Sequence, residues 1–502
     1  MKNSIKNPFR VIAVLLLTIG LVSESMADVE LGPFKFRGYL RHYLSFNLED
    51  VPETAGVDDK MDVSMNRFAF QLDTNVDTGP LSWTGRFRLT EEISTDYEDR
   101  LQATTNFLRG IIPAAAGDGT TDFYDDEYDE VDIRELFFDA AVGDRVNVRI
   151  GRQQVVWGET DFFHATDVIH GFDLRWRNFY VPENEDVRKP LILLNGEIDV
   201  PELGGGLQLI VRPGLDDSSW IGNSIPTFGG RWSNNGSSGF PLASANTGGV
   251  GSFNYHHDEG DTDDAHYGMR WTGRLGKNED VDYSLMYYHG QGGFQQDPIL
   301  IFNVAAGELQ FIVPETDTVG GSISGYIPFL DITYRAEMAY TPDRSFGTIP
   351  GALVQNDAYN FLLGFDANPR LQKWLKTSSP SLFTVQVFDW FLPGVNESDL
   401  VAHFTGAGAY DEHNVMMTSI LTLPWLRDTL VGTVVGIADL TQGGGWIIPS
   451  LEYQYGSHLR FKVEADMAFG GNPITNPGAP NGSIVGAFDN SNQLLFRTTY
   501  QF

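Results

Sequence analysis

The feature that most constrains this chain is a hydrophobic period of two that recurs from end to end. From Phe34, one stripe reads Phe34, Phe36, Gly38, Leu40, Leu44, Phe46, Leu48, and the other reads Lys35, Arg37, Tyr39, Arg41, Tyr43, Ser45, Asn47. Successive side chains of an extended strand point to opposite faces, so such a segment is a strand with one apolar and one wet face. The pattern returns at Phe68/Phe70/Leu72, Trp83/Gly85/Phe87/Leu89, Leu136/Phe138/Ala140/Val142, Val281/Tyr283/Leu285/Tyr287, Leu459/Phe461/Val463/Ala465 and Leu494/Phe496/Thr498/Tyr500/Phe502. Short connections fall at 78–80, 143–145, 200–205, 276–280, 328–330, 424–428 and 456–458, with a medium one near 367–379. Long ones fall between them, at 49–59, 96–130, 157–189, 214–263, 292–317, 343–356, 392–411, 441–445 and 470–490. Long loops at one end and short turns at the other mark a transmembrane antiparallel β-barrel. The reading is all-β, with 18 strands, or 16 if one hairpin is misassigned, long extracellular loops and short periplasmic turns. A soluble sandwich would turn its polar stripe outward and carry similar loops at both ends. Tyr, Trp and Phe at the strand ends suit an aromatic girdle instead.

Residues 1–27 read as an export signal. Lys2, Lys6 and Arg10 precede an apolar run from Val11 to Val22, and Ser25-Met26-Ala27 is a small-x-small cleavage site. Residues 28–502 then form a single outer-membrane barrel, and after Val22 no apolar stretch approaches the length of a membrane helix. The first strand begins about six residues after Asp28, so whatever fills the lumen must come from the loops. Net charge is −33, from 34 Lys+Arg against 67 Asp+Glu, which argues against nucleic acid as a partner. The absence of Cys excludes disulfides, thiolate metal sites and Cys nucleophiles. The expected partners are outer-membrane lipid, lipopolysaccharide and an inner-membrane transporter. The terminal Phe502 resembles the signal by which the barrel-assembly machinery recognises its substrates. No cofactor is expected.

Short turns fix register. They set Phe138 opposite Ile150 on the lipid side, and Asp139 opposite Arg149 and Glu135 opposite Gln153 on the wet side. They also set Arg274 opposite Asp282, Glu452 opposite Lys462 and Asp73 opposite Arg86. Opposite charges paired in this way contribute roughly 0.2–1 kcal/mol each and pin the register. One reading is that lumen charges satisfy one another and hold the wall. The other is that Arg37, Arg41, Arg86 and Arg88 form a partly unpaired cluster that attracts an anionic solute.

Residues 149–190 break the rhythm. The strand runs to Val156, Trp157-Gly158-Glu159 interrupts it, and about 30 residues rich in Phe, Trp, Asp and Arg follow. Phe162, Phe163, Ile169, Phe172, Trp176 and Phe179 are too apolar for a loop in water. A loop folded into the lumen would bury them and narrow the passage; a loop packed on the rim is the alternative. The gate would comprise Trp157, Glu159, Asp161, Phe162, Phe163, Asp167 and Arg175, with Arg37, Arg41, Arg86, Arg88, Glu135, Arg149 and Gln153 along the solute path.

Arg134-Glu135, then Gly151-Arg152-Gln153, then Trp157-Gly158-Glu159 and Asp167 resemble the signature of a large family of proteobacterial outer-membrane proteins of unknown function. Where that pattern has Asn-Pro, this chain has His170-Gly171. The resemblance covers about 60 residues. It implies a barrel associated with envelope systems that move hydrophobic compounds such as hydrocarbons or sterol-like molecules, with a distant likeness to alginate-export porins.

Other candidates are weak. The carboxylate-rich stretch 122–132 lacks EF-hand spacing, and His256, His257, Asp258, Glu259 and His266 form a poor metal set in an acidic loop. No hydrolase motif is present, and no enzymatic activity is expected. The expected function is a monomeric outer-membrane channel for an organic, hydrophobic or amphipathic solute, gated by the aromatic inner loop. The alternatives are a non-transporting anchor whose acidic loops bind a partner or lipopolysaccharide, and an exopolysaccharide-export-type porin.

Overall fold

A computed structural model describes residues 29–50, 57–100, 103, 128–174, 184–216, 220–224, 253–255, 265–276, 280–291, 299–303, 308–348, 353–395, 401–402, 408–470, 485, 488 and 492–502. The expected export signal, Arg175, Trp176, Phe179 and the His256–Glu259 cluster lie outside the described residues.

Eighteen long strands form one antiparallel sheet that closes on itself. The first six are β1 (Phe34–Asn47), β2 (Val63–Asp77), β3 (Leu81–Glu92), β4 (Glu130–Val142), β5 (Val146–Gln153) and β6 (Leu191–Val200). The next six are β7 (Gly205–Arg212), β8 (His266–Leu275), β9 (Val281–Gln291), β10 (Glu315–Ile327), β11 (Ile332–Gly347) and β12 (Leu353–Ala367). The last six are β13 (Leu382–Phe391), β14 (His413–Trp425), β15 (Leu430–Asp439), β16 (Gly445–Tyr455), β17 (Leu459–Phe469) and β18 (Gln493–Gln501). Each pairs with its chain neighbours, and β18 returns to β1 with Tyr39 opposite Gln501 and Asn47 opposite Gln493. Gly38 and Phe502 complete the seam with two main-chain hydrogen bonds of 3.0 and 3.1 Å. No helix among the described residues is long and apolar enough to cross a membrane.

The two stripes behave differently, and that difference defines inside and outside. Leu136, Ile150, Leu194, Leu209, Met269, Leu285, Ile323 and Leu363 are exposed, while their lumen-facing neighbours Phe137, Leu193, Ile210, Met286 and Leu362 are buried. An apolar surface of this kind around a closed sheet is what hydrocarbon requires, because only a closed sheet leaves no unpaired backbone group there.

The expected registers Asp73/Arg86, Asp139/Arg149 and Arg274/Asp282 are present as ion pairs of 3.0, 2.7 and 3.1 Å. Glu452 does lie opposite Lys462, but the charges pair elsewhere. Lys462 binds Glu464 on its own strand, and Glu452 takes Arg497 at 2.9 Å and Arg460 at 3.5 Å. Long side chains lean along and across strands, so facing positions do not dictate partners. Glu135 also departs from expectation. The β4–β5 ladder extends only to Leu136 opposite Arg152, and Glu135 instead faces Arg86. The next β3–β4 pair is Phe87 with Ile133, so Arg134 is the extra residue of a bulge, and both Arg134 and Glu135 are buried. The segment 343–356, expected as a long loop, is mostly strand. Pro342-Asp343 has turn composition, but here it makes a register shift between Thr341 and Arg344, with Asp343 at φ 47°.

The seam carries the first prediction. Phe502 is buried against Phe70, with Leu40, Leu72, Leu89 and Tyr500 around them. Phe502→Ala is expected to cost about 3 kcal/mol, read as a lower urea midpoint for the barrel in neutral detergent. An unchanged midpoint would contradict closure through this residue.

Candidate functional site

After β5 the chain turns into the barrel. Residues 154–174 and 184–190 bond to strands on both sides of the ring: β7, β11, β12 and β13 on one side, and β1, β3 and β4 on the other. Only a path through the lumen reaches both.

The descending limb is clasped by the wall. Trp157 is buried, its indole N–H donates to Gln208 Oε1 at 2.8 Å, and its ring meets Tyr288 edge-on at 6.3 Å. Gly268 makes that seat, since a Cβ there would stand 2.7 Å from the Trp157 ring. The carboxylate of Glu337 on β11 accepts from the Glu159 and Thr166 main-chain N–H groups and from the Thr166 hydroxyl at 2.7 Å. Arg335, on the same strand, donates to the Glu159 carbonyl and pairs with Asp366 at 2.9 Å and Asp161 at 3.6 Å. Gln386 donates to Asp161 at 2.7 Å. Burial raises the Asp161 carboxyl above its ordinary range against the pull of Arg335. Phe163 packs edge-on against Phe388 at 5.2 Å and Trp390 at 5.4 Å. Phe162, Phe163, Phe172 and Leu174 thereby join a buried apolar cluster with wall residues from Tyr39 round to Leu495.

The two limbs are tied to each other. Asp167 pairs with Arg188, both buried; burial alone would raise the Asp167 carboxyl, but the guanidinium holds it below the usual carboxylate range. His170 bridges the limbs: the Val155 N–H donates to its Nε2 at 2.9 Å, and its Nδ1–H donates to the Lys189 carbonyl at 2.9 Å. Both bonds need a neutral ring with the proton on Nδ1. Burial first, and the Arg188 charge second, push the His170 pKa down to about 4.

The family model described as "Protein of unknown function (DUF1302)" matches residues 57–502. The chain belongs to that family. No curated protein sequence matches it. Among solved structures it is similar to OccAB2 of Acinetobacter baumannii, at 11% identity over 93% of this chain and 98% of that one, with a TM-score of 0.47. It is also similar to the outer membrane protein OpdK of Pseudomonas aeruginosa, at 10% identity over 94% of this chain and 100% of that one, with a TM-score of 0.45. A third is the outer membrane channel DcaP of Acinetobacter baumannii, at 10% identity over 95% and 100%, with a TM-score of 0.39.

The residues that carried the sequence resemblance gather at the root and elbow of the inner segment. Arg134 donates to the main-chain oxygens of Glu185 and Arg188. Gly151, at φ 130°, has no room for a Cβ, which would lie 2.2 Å from the Leu136 carbonyl oxygen. Arg152 reaches Asp216 at 3.5 Å and lies over the Trp220 ring. Gln153 donates to the Leu193 carbonyl at 3.0 Å. Gly158 is pressed against Asp167. At the His170-Gly171 departure, a Cβ on Gly171 would fall 1.8 Å from the Gly222 carbonyl oxygen, so the chain passes there only as glycine.

The remaining path residues divide into two groups. Arg37, exposed, shares Asp73 with Arg86, which also reaches Glu135 at 3.5 Å, and Arg149 holds Asp139. Arg37 and Arg149 belong to the turn-side wall, whereas Glu135 accepts from the Gln154 main-chain N–H at the root of the inner segment. Arg41 and Arg88 do touch it: Arg41 pairs with Asp186 at 2.6 Å, and Arg88 donates to the Asp186 carbonyl. The arginine group is therefore engaged by Asp73, Glu135 and Asp186 and does not form one open field. Sequence reasoning did not pick out Glu337, Arg335, Gln386, Gln208 or Asp186. The signal available for the first two was a charge pair on the wet stripe of β11, without any cue to its partner. His266, the described member of the weak metal set, is buried beside Arg212, Tyr288 and Gln291.

His170 carries the second prediction. Its folded pKa lies below the ordinary 6.5, so the unfolded segment takes up a proton first as pH falls. The stabilisation is full above about pH 6.5 and is lost as pH falls towards 4, amounting to roughly 3 kcal/mol in total. Limited proteolysis of the inner segment should accelerate over that window, and His170→Asn should abolish the dependence there. A rate flat with pH in the unsubstituted protein would contradict the neutral bridge.

Proposed function

We propose that this protein is an outer-membrane channel for an organic, hydrophobic or amphipathic solute, with the loop 157–189 as its gate and selectivity element. The observation that carries this reading is the apolar lining of the constriction. Where the segment crosses the lumen, Phe162, Phe163, Phe172 and Leu174 meet Leu362, Phe388, Trp390, Trp446 and Ile448 of the wall. A sheet of 18 strands encloses more space than its own inward side chains fill, and here the filling is largely greasy. The exposed apolar belt supports placement in a bilayer, and the outer membrane is where such barrels are built.

The turn-side half of the lumen is different in character. Arg37, Asn75, Asp77, Glu197, Asp199, Arg274 and Asp282 are exposed there, giving a hydrated vestibule below an apolar neck. Such a gradient suits a solute with both polar and apolar parts. It suits an exported polysaccharide poorly, because sugar hydroxyls would lose their water in the neck without acceptors in return.

Glu337→Leu removes the acceptor for three donors of the descending limb while leaving the strands paired. The expected result is a several-fold rise in single-channel conductance in planar bilayers and faster entry of a hydrophobic solute into liposomes. If Glu337→Leu and replacement of 157–189 by a short linker both leave conductance and flux at the level of empty bilayers, the barrel is an anchor and this reading fails.

A further inference from the structure

Three arginines from β1, β3 and β4 converge on three residues of the returning limb, Glu185, Asp186 and Arg188. Arg41 of β1 pairs with the Asp186 carboxylate at 2.6 Å. Arg88 of β3 donates to the Asp186 main-chain oxygen, and Arg134 of β4 donates to those of Glu185 and Arg188. The latter two arginines are buried, each with 2% of its surface exposed. Arg134 also has Asp132 at 3.6 Å.

The described hydrogen-bond acceptors of Arg88 and Arg134 are main-chain oxygens, with Asp132 as a carboxylate beside Arg134. Bonds from guanidinium to carboxylate are roughly twice as strong as those to neutral oxygens and can be bidentate. Here Arg88 and Arg134 place hydrogen bonds on main-chain carbonyls of a single helical turn, Asn184–Val187. An arriving carboxylate would be a better acceptor than those carbonyls. The limb is also reachable, since Glu185 is exposed and Asp186 partly so.

An apolar surface begins beside the cluster. Arg41 lies over the Tyr39 ring at 3.8 Å and reaches the Tyr43 hydroxyl at 3.5 Å. Tyr39, Tyr43, Phe172 and Val187 belong to the same apolar cluster that continues to Trp390 and Trp446. Cationic head site and greasy track are thus adjacent, with Asp186 seated at the head site.

We propose that Arg41, Arg88 and Arg134 form the binding site for the carboxylate head of an amphipathic solute, and that Asp186 is an internal stand-in which the solute displaces. The inference rests on the channel reading and names its solute class: a long-chain carboxylate whose tail lies along the wall from Tyr39 towards Trp390. Displacing Asp186 releases the limb from the wall, so binding and opening are one event. The population in which Asp186 has left sets the apparent affinity, and removing the Asp186 charge lifts that penalty.

The test uses the full barrel in neutral detergent at pH 8, with decanoate titrated by calorimetry below its micelle-forming concentration and decan-1-ol below its solubility limit. Decanoate is expected to bind about tenfold more tightly to Asp186→Asn and about tenfold more weakly to Arg41→Gln, while decan-1-ol responds to neither. Because Arg41→Gln could impair folding, Asp186→Ser serves as a second charge-removing variant and should match Asp186→Asn. Equal decanoate affinity in the unsubstituted protein and both Asp186 variants overturns the proposal. So does a parallel shift for decan-1-ol, which would mean that the loop has merely loosened. Liposome flux separates the two readings: a barrel that binds decanoate in this pattern but passes no solute refutes the channel and leaves the head site standing.

Discussion

The whole architecture depends on the cost of an unpaired peptide group in hydrocarbon. Each buried N–H or C=O without a partner costs several kcal/mol there, so the sheet must return to its own first strand. It does so through nine facing pairs between β1 and β18 and the Gly38–Phe502 exchange. Closure at 18 strands then creates the second problem, an interior too wide for inward side chains to fill. The inner segment answers it, and Arg41, Arg88, Arg134, Arg335 and Glu337 of the wall are bonded to it.

The segment carries its own unpaired peptide groups into the lumen, and side chains of the wall and of Asn223, in the stretch between β7 and β8, supply their partners. Glu337 accepts N–H groups of Glu159 and Thr166; Asn360 donates to the His164 carbonyl at 3.3 Å; Asn223 accepts from Phe172 at 2.8 Å. Hydrogen bonds to a charged partner contribute about 1.5–3 kcal/mol, and leaving such a group unmade when buried costs a similar amount. Charges that a sequence reader would assign to a solute field, such as Arg41 and Arg88, are in this structure committed to the chain itself.

Much of this was legible before any coordinates. Period two locates strands because a slip of one residue would turn every apolar side chain into the lumen, and short turns carry register with them, as at Gly79-Pro80 and at 143–145. What was not legible has a common physical form. The bulge at Arg134 keeps the composition of a regular strand and changes only parity, and the Pro342-Asp343 irregularity has the composition of a turn. The contacts of Glu159 and Thr166 with Glu337 join residues 178 and 171 positions apart, and no local pattern reports such a pairing. The aromatic content of 157–174 betrayed that the segment needed burial, but aromatic content has no direction, so it could not say which wall would receive it.

The two limbs are held by different physics, and this bears on how the neck can open. The descending limb sits on a carboxylate that collects several donors at once and on interlocked rings, Trp157 with Tyr288 and Phe163 with Phe388 and Trp390. Moving it exposes apolar surface and strips a buried anion of its donors together, a cooperative loss. The returning limb between Asn184 and Val187 is a single helical turn held by guanidinium bonds to carbonyls, one ion pair beside an exposed Glu185, and the buried Val187 side chain. Each of the arginine ties can be exchanged for water or another anion one at a time, since arginine keeps its geometry while its partner changes. Between them lies the His170 bridge and the Asp167–Arg188 pair, which bind the limbs to one another more firmly than the return is bound to the wall. On the channel proposed above, motion that widens the neck would start at the Asn184–Val187 turn and stop at His170, with Trp157 and Glu159 as the fixed floor of the passage.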